Sequence, residues 1–288
     1  NSENNTKENV KINVIAGKGS TKENTSGVNS YDYDTVGVLA LREVERTYRH
    51  TFGYSLGYTR TDFQMKDTQN KDQADTVQIG LHNKYNLNGW NFKNDLLGRA
   101  SFHTSDRSIN WYEGTKQDMK SDYNVYGISS LNEIGRKIEL GKNVKLTPYT
   151  GLELGYMAHG SFEEEGDAER LKVDNSDGYS IKPSLGLRLE AEKSFGSNKD
   201  WKVKGNVGAA YEYELGDMNK QEKASLSLIE EGYHKLAQTA EDKGKIKTSG
   251  VIGVELKDRY GIFLTGEYGA GNDSKEEYKV GVSFKASF

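Results

Sequence analysis

Tyr278-Lys279-Val280-Gly281-Val282-Ser283-Phe284-Lys285-Ala286-Ser287-Phe288, the last eleven residues of the chain, decide the fold. Tyr278, Val280, Val282, Phe284, Ala286 and Phe288 recur at every second position, with Lys279, Gly281, Ser283, Lys285 and Ser287 between them. Successive side chains of a strand point to opposite faces, so this is a β-strand with one apolar, aromatic face and one polar or small one. It needs grease on one side and water on the other, which a sandwich core or a lipid bilayer supplies.

Composition alone leaves both open. The 288 residues are 34% hydrophobic and 28% charged, with 32 Gly, 18 Tyr, 2 Pro and no Cys, and no run approaches the eighteen or so apolar residues of a membrane helix. A mean hydropathy of -0.82 suits a soluble protein and equally a transmembrane barrel, whose lumen-facing residues dilute the average. Without Cys there are no disulfides or thiolate metal sites. The net charge of -4 comes with no basic stripe, so nucleic acid is not an expected partner. Asn1 to Asn9 is polar throughout and does not read as a signal peptide; an exported chain of this sequence would be a mature product or a fragment.

The same alternation recurs along the chain. After a polar lead-in over 1–8, it starts at Val10, and further strands follow over about Tyr31–Val44 and His50–Met65. In the latter, Phe52, Tyr54, Leu56 and Tyr58 oppose Thr51, Gly53, Ser55, Gly57 and Thr59, as a barrel wall requires. Val77, Ile79 and Leu81 lead into the hairpin dipeptide Asn88-Gly89, and Trp90, Phe92 and Leu96 lead out of it. A strand spans about Tyr123–Leu140 with no decisive parity. In the clearest one, Leu146, Leu152, Leu154 and Tyr156 oppose Glu153 and Gly155. Leu185, Leu187 and Leu189 oppose Arg188 and Glu190, and Val207, Tyr211 and Tyr213 oppose Lys204 and Glu212. Strands over about 245–256 and from Ile262 precede the terminal one, giving about twelve. Most exceed ten residues, longer than soluble strands and about the length that crosses a bilayer when tilted.

The connections test this independently. Counting back from the terminus, polar stretches around 269–276, 217–244, 163–178, 104–121, 66–75 and 21–30 alternate with short turns at 257–261, 196–200, 141–143 and 88–89. Long and short in alternation, with an even strand count, is the pattern of bacterial outer-membrane barrels: both termini periplasmic and long loops outside. The expected fold is therefore all-β, a twelve-stranded antiparallel transmembrane β-barrel of the bacterial outer membrane.

The terminal strand, LTPYTGLELGYMAHGSFEE (146–164), SLGLRLEAE (184–192) and GVIGVELKDRYGIFLTGEYG (250–269) together resemble the C-terminal translocator domain of the monomeric, type Va autotransporters, from about Val10 to Phe288. The resemblance implies a barrel over 9–288 through whose pore an upstream passenger is exported, with a helix often left inside. Passenger and pore helix would both be absent from this chain. It implies a monomer in contact with outer-membrane lipids and lipopolysaccharide, periplasmic chaperones and the barrel-assembly machinery, which reads Tyr278, Val280, Val282, Phe284 and Phe288 as a signal. Glu153, Arg188, Glu190, Lys204 and Glu212 are expected to line the lumen. The alternatives are a stand-alone porin or adhesin barrel and, behind it, a barrel hydrolase.

Other motifs carry little. Gly53-Tyr54-Ser55-Leu56-Gly57 matches G-x-S-x-G, but that nucleophile needs a strand-to-helix elbow and this one lies in mid-strand. His50, His82, His103, His159 and His234 are scattered without metal spacing. Glu163-Glu164-Glu165, Asp167 and Glu169 lack the spaced calcium-loop pattern and read as a solvated loop. In 222–242, Leu226, Ile229, Tyr233, Leu236 and Ala240 fall three or four apart, predicting a helical extracellular loop, either packed on neighbouring loops or, as the functional alternative, folded over the pore mouth. Asn4-Asn5 is no basis for self-cleavage. No catalytic, metal or cofactor residue is expected, and the protein is read as not an enzyme.

Overall fold

The computed structural model describes residues 7–21, 30–66, 68–110, 114–167, 170–217, 223–226, 234–235, 243–271 and 275–288. Twelve long strands run through them. They are β1 (Glu8–Thr21), β2 (Tyr31–Thr47), β3 (His50–Met65), β4 (Lys71–Leu87), β5 (Trp90–Asn110), β6 (Lys116–Arg136), β7 (Val144–His159), β8 (Ser176–Phe195), β9 (Trp201–Tyr213), β10 (Gly244–Leu256), β11 (Tyr260–Gly271) and β12 (Lys275–Ser287). Each pairs antiparallel with the next, and β12 pairs with β1 from Asn9 opposite Ser287 to Thr21 opposite Lys275. Phe288 N–H donates to the Glu8 carbonyl at 2.9 Å, so the last aromatic helps close the ring. Closure is obligatory in lipid, which offers no partner to a free sheet edge.

The register fixes the barrel's dimensions. Directly paired residues lead from Glu45 through Thr51, Lys84, Lys93, Glu133, Gly151, Ser184 and Glu212 to Lys245 and Gly271. The circuit starts at Lys7, whose carbonyl accepts from Glu45 N–H; continued through Lys275, it re-enters β1 at Thr21, fourteen residues further on. For twelve strands that stagger corresponds to a tilt of about 40° and a backbone radius of about 12 Å. With inward side chains in place, the remaining bore is about as wide as a single helix.

The two faces divide as the alternation requires. The outward one carries the apolar residues, among them Leu185 at 70% exposure, Ile79 at 62% and Val280 at 61%. Large exposed apolar areas of this kind mark a lipid-facing surface. On β6 the even positions face out, with Tyr126 and Ile128 exposed, settling a parity that the sequence leaves open. Left-handed backbone that suits tight hairpins occurs at Asn88 (φ 50°) and Gly89 (φ 82°) and at Lys257 (φ 53°) and Asp258 (φ 54°).

Two expectations are corrected. The stretch 105–120 is mostly strand, since β5 and β6 stay paired to Asn110 opposite Lys116. Polar cross-strand bonds hold this extension, Thr104 Oγ1 to Asp122 at 2.8 Å and Ser108 Oγ to Asp118 at 2.6 Å. Apolar alternation cannot reveal a hairpin paired through polar groups on its wet part. The helix over 222–242 falls largely outside the described residues, but Lys223–Leu226 and His234–Lys235 are described and extended. Lys223–Leu226 pairs with Leu171–Val173 and with His234–Lys235, so those described residues are not helical.

Candidate functional site

The inward face is built from charged pairs, glycines and a few aromatics. Three carboxylates recur at four-strand intervals, each held by a cation on the preceding strand and another two strands on. Glu43 on β2 binds Lys11 of β1 at 3.2 Å and Lys84 of β4. Glu133 on β6 binds Lys93 of β5 at 3.4 Å and Arg188 of β8 at 3.1 Å. Glu255 on β10 binds Lys204 of β9 at 2.8 Å and Lys285 of β12 at 3.0 Å. Only on the concave face can such side chains reach over an intervening strand. Glu43 and Glu255 are buried, and a buried carboxylate is retained only when paired in this way.

Of the residues expected in the lumen, Arg188 and Lys204 thus sit in these bridges. Glu153 faces Lys182 at 3.6 Å, Glu212 binds Lys247 at 2.7 Å, and Glu190 lies on the same face of β8, in register with Lys145 and Asn206. The five are spread around the wall rather than gathered at one point. A cavity of about 530 Å³ touches inward residues as far apart as Ile15, Arg99, Glu153 and Lys279.

Glycine lets the aromatic rings lie flat on the wall. A Cβ at Gly186 would stand 2.3 Å from the Tyr149 ring, and one at Gly19 2.2 Å from the Tyr33 ring. Arg188 then stacks on Tyr149, 4.8 Å from the ring centre, and Tyr33 donates to Glu277 at 2.9 Å.

One constellation escapes the sequence reading. Ser55, His82 and Asp95 lie side by side on β3, β4 and β5, with His82 Nε2 2.7 Å from Ser55 Oγ and His82 Nδ1 2.8 Å from Asp95 Oδ1. The G-x-S-x-G match held its serine; the partners, 27 and 40 positions downstream, become visible only through the register. Ser55 is 6% exposed, and a Cβ at its neighbour Gly80 would stand 2.5 Å from Ser55 Oγ and 2.9 Å from Leu97 Cδ2. The hydroxyl is therefore covered. The strand amides beside it are spent on sheet pairing, so they cannot serve as an oxyanion hole.

At the end bearing the long connections, Phe162 stacks on Tyr123 (4.5 Å) and Tyr123 on His103 (4.6 Å). His103 and the Tyr123 hydroxyl both bind Asp72, each at 2.9 Å. Glu164 accepts two bonds from Arg107, at 2.8 and 2.6 Å, and one from Leu171 N–H at 2.7 Å. The acidic run is thereby split: Glu164 turns inward to β5, Asp167 accepts from Asp118 N–H at 3.0 Å, and Glu169 lies outside the described residues. Phe162–Glu163, Leu171–Val173, Lys223–Leu226 and His234–Lys235 form a small antiparallel sheet there. At the opposite end, Lys202 donates to Asp258 at 2.8 Å and holds its carboxyl below the usual range.

The autotransporter β-domain family model matches residues 10–267. Three solved structures share the architecture. The translocator domain of NalP from Neisseria meningitidis has a TM-score of 0.68 at 12% identity, over 96% of this chain and 88% of that one. The β-domain of the Bordetella autotransporter BrkA has a TM-score of 0.68 at 15% identity, over 97% and 98%. The transport unit of AIDA-I from Escherichia coli has 0.60 at 11% identity, over 100% and 92%. No curated protein matches the chain. At such identities the three structures speak for the fold, and the family match speaks for descent: this chain belongs to the autotransporter β-domain family, as a translocator barrel of the outer membrane.

Proposed function

We propose that the barrel sits with both termini in the periplasm and its long connections at the cell surface, and that a passenger upstream of Asn1 leaves the cell through its lumen while the barrel remains as anchor. The observation that carries this reading is a closed ring whose bore is about one helix wide and lined by charged pairs such as Glu133–Arg188 and Glu212–Lys247. A polar wall gives a passing or resident polypeptide hydrogen-bond partners without an apolar surface to trap it. Glu153, Arg188, Glu190, Lys204 and Glu212 supply part of that wall. Tyr278, Val280, Val282, Phe284 and Phe288 serve the barrel-assembly machinery as the recognised strand, with chaperones holding the chain beforehand. The folded barrel works as a monomer among phospholipid and lipopolysaccharide, and its role is passage, not catalysis.

Single-channel conductance in planar bilayers tests this, comparing the chain with one extended upstream by about thirty residues, enough for a helix to span the bilayer. Conduction by the short chain and block by the extension support a helix-sized translocation pore. Equal conduction by both would favour a stand-alone porin or adhesin.

A further inference from the structure

The rim at the short-turn end carries a basic arc on the outer side of β2 to β7. Three connections build it: 48–49, 88–89 and the stretch from Lys137 to Asn143. They abut through the backbone, since Asn86 N–H donates to the Arg49 carbonyl and Lys137 N–H to the Gly89 carbonyl, each at 2.8 Å. Arg46, Arg49, Arg136, Lys137 and Lys142 are all exposed on this arc, against the single exposed carboxylate Glu139. Glu45 belongs to the inward parity, and Glu8 is taken by Arg42 at 2.6 Å.

The arginines are not loose. Arg46 lies over the Phe52 ring at 5.2 Å, Arg49 over Tyr48 at 4.8 Å, and Arg136 over Trp90 at 5.2 Å. Phe52 and Trp90 are the last outward aromatics before the turns, and such rings settle where hydrocarbon meets headgroup. Each guanidinium is thus parked at headgroup depth with its edge free, and its planar fork fits phosphate oxygens in pairs. At the other end of the barrel the outer charges are mixed and paired: Asp34 with Lys18, Asp75 with Arg60, Asp32 with Lys66, Asp118 with Lys116 and Asp106 with Lys120. The positive charge is therefore placed at one rim and is not the general character of a chain of net charge -4.

We propose that this arc is a docking surface for anionic phospholipid headgroups in the leaflet at the short-turn end, with Arg46, Arg49 and Arg136 as the phosphate-binding residues. The inference rests on the barrel being embedded in a bilayer and is independent of passenger export.

The chain has three tryptophans, so Trp111→Phe with Trp201→Phe leaves Trp90 as a reporter beside Arg136. In phosphatidylcholine vesicles, its fluorescence is titrated with brominated phosphatidylglycerol or brominated phosphatidylcholine at equal mole fractions. The anionic lipid should bind at the Trp90 site roughly fivefold or more tightly, the worth of one cation near a charged surface. High salt should shrink that preference. Arg46→Gln with Arg49→Gln, which leaves the Arg136–Trp90 contact in place, should reduce it, and adding Arg136→Gln should remove it. Equal quenching by the two lipids in the native background, or a preference unmoved by the substitutions in correctly folded barrels, overturns the proposal. No quenching by either lipid would instead refute the bilayer embedding.

Discussion

Glu133 on β6 accepts a bond from each terminal nitrogen of Arg188 on β8, both at 3.1 Å, so that one ion pair bridges over β7 on the inner face of the barrel. Arg188 rests on Tyr149 of that intervening strand, and Tyr149 rests on Gly186. The column joins three strands through contacts that no pair of sheet neighbours could make alone.

Removing one partner should expose its worth. Arg188→Gln leaves Glu133 with Lys93 alone, and loss of a hydrogen bond to a charged group in a half-buried setting costs about 1–3 kcal/mol. A double-mutant cycle with Glu133→Gln, read by denaturant unfolding of the refolded barrel, should return a coupling of that sign. Strict additivity would mean that the bridge is inert.

Beneath it, Gly186→Ala should destabilise more than its size suggests. The added Cβ would stand 2.3 Å from the Tyr149 ring, and overpacking of this kind costs about 1–3 kcal/mol. Gly186→Ala combined with Tyr149→Ser should recover part of the loss, since the ring that clashes is gone. No recovery in the thermal midpoint would place the strain elsewhere.

Adjacent residues of β7 test the facing of the wall. Leu154 is 41% exposed on the outside, and Leu154→Arg should cost about 2–4 kcal/mol near the bilayer midplane. Glu153→Gln, which only weakens a 3.6 Å approach to Lys182, should assemble normally. Heat-modifiable gel mobility separates the two, with the shift lost in the first variant and kept in the second.

For Ser55, the expected outcome is silence. A fluorophosphonate probe should leave the folded barrel unlabelled despite the 2.7 Å contact with His82, because the hydroxyl is covered and has no free amide pair opposite it. Labelling that disappears in Ser55→Ala and His82→Gln would reverse this and make the lumen an acyl-transfer site.

Most of the fold was legible because a strand's two faces meet different solvents here, and the chain writes that difference every second residue. Tyr278 to Phe288, Phe52 to Tyr58 and Leu146 to Ala158 declare their outward side without any knowledge of neighbours. Asn88-Gly89 announces its turn because both residues readily take the left-handed backbone that suits so tight a hairpin. β6 stayed ambiguous because Ser130 and Asn132 sit on its lipid side while Leu131 and Val125 sit inside, so neither parity is uniformly apolar.

By itself, then, the sequence determined most of the strands and, outside β6, their facing, both of them local consequences of period and turn chemistry. Tertiary structure alone decided the fourteen-residue stagger, the bridging of Glu43, Glu133 and Glu255 at four-strand intervals, and the meeting of Ser55, His82 and Asp95. It also decided that Lys223–Leu226 is extended, pairing with a loop some fifty residues away. These depend on which residues stand opposite one another across strands, and alternation fixes a side chain's face but not its partner.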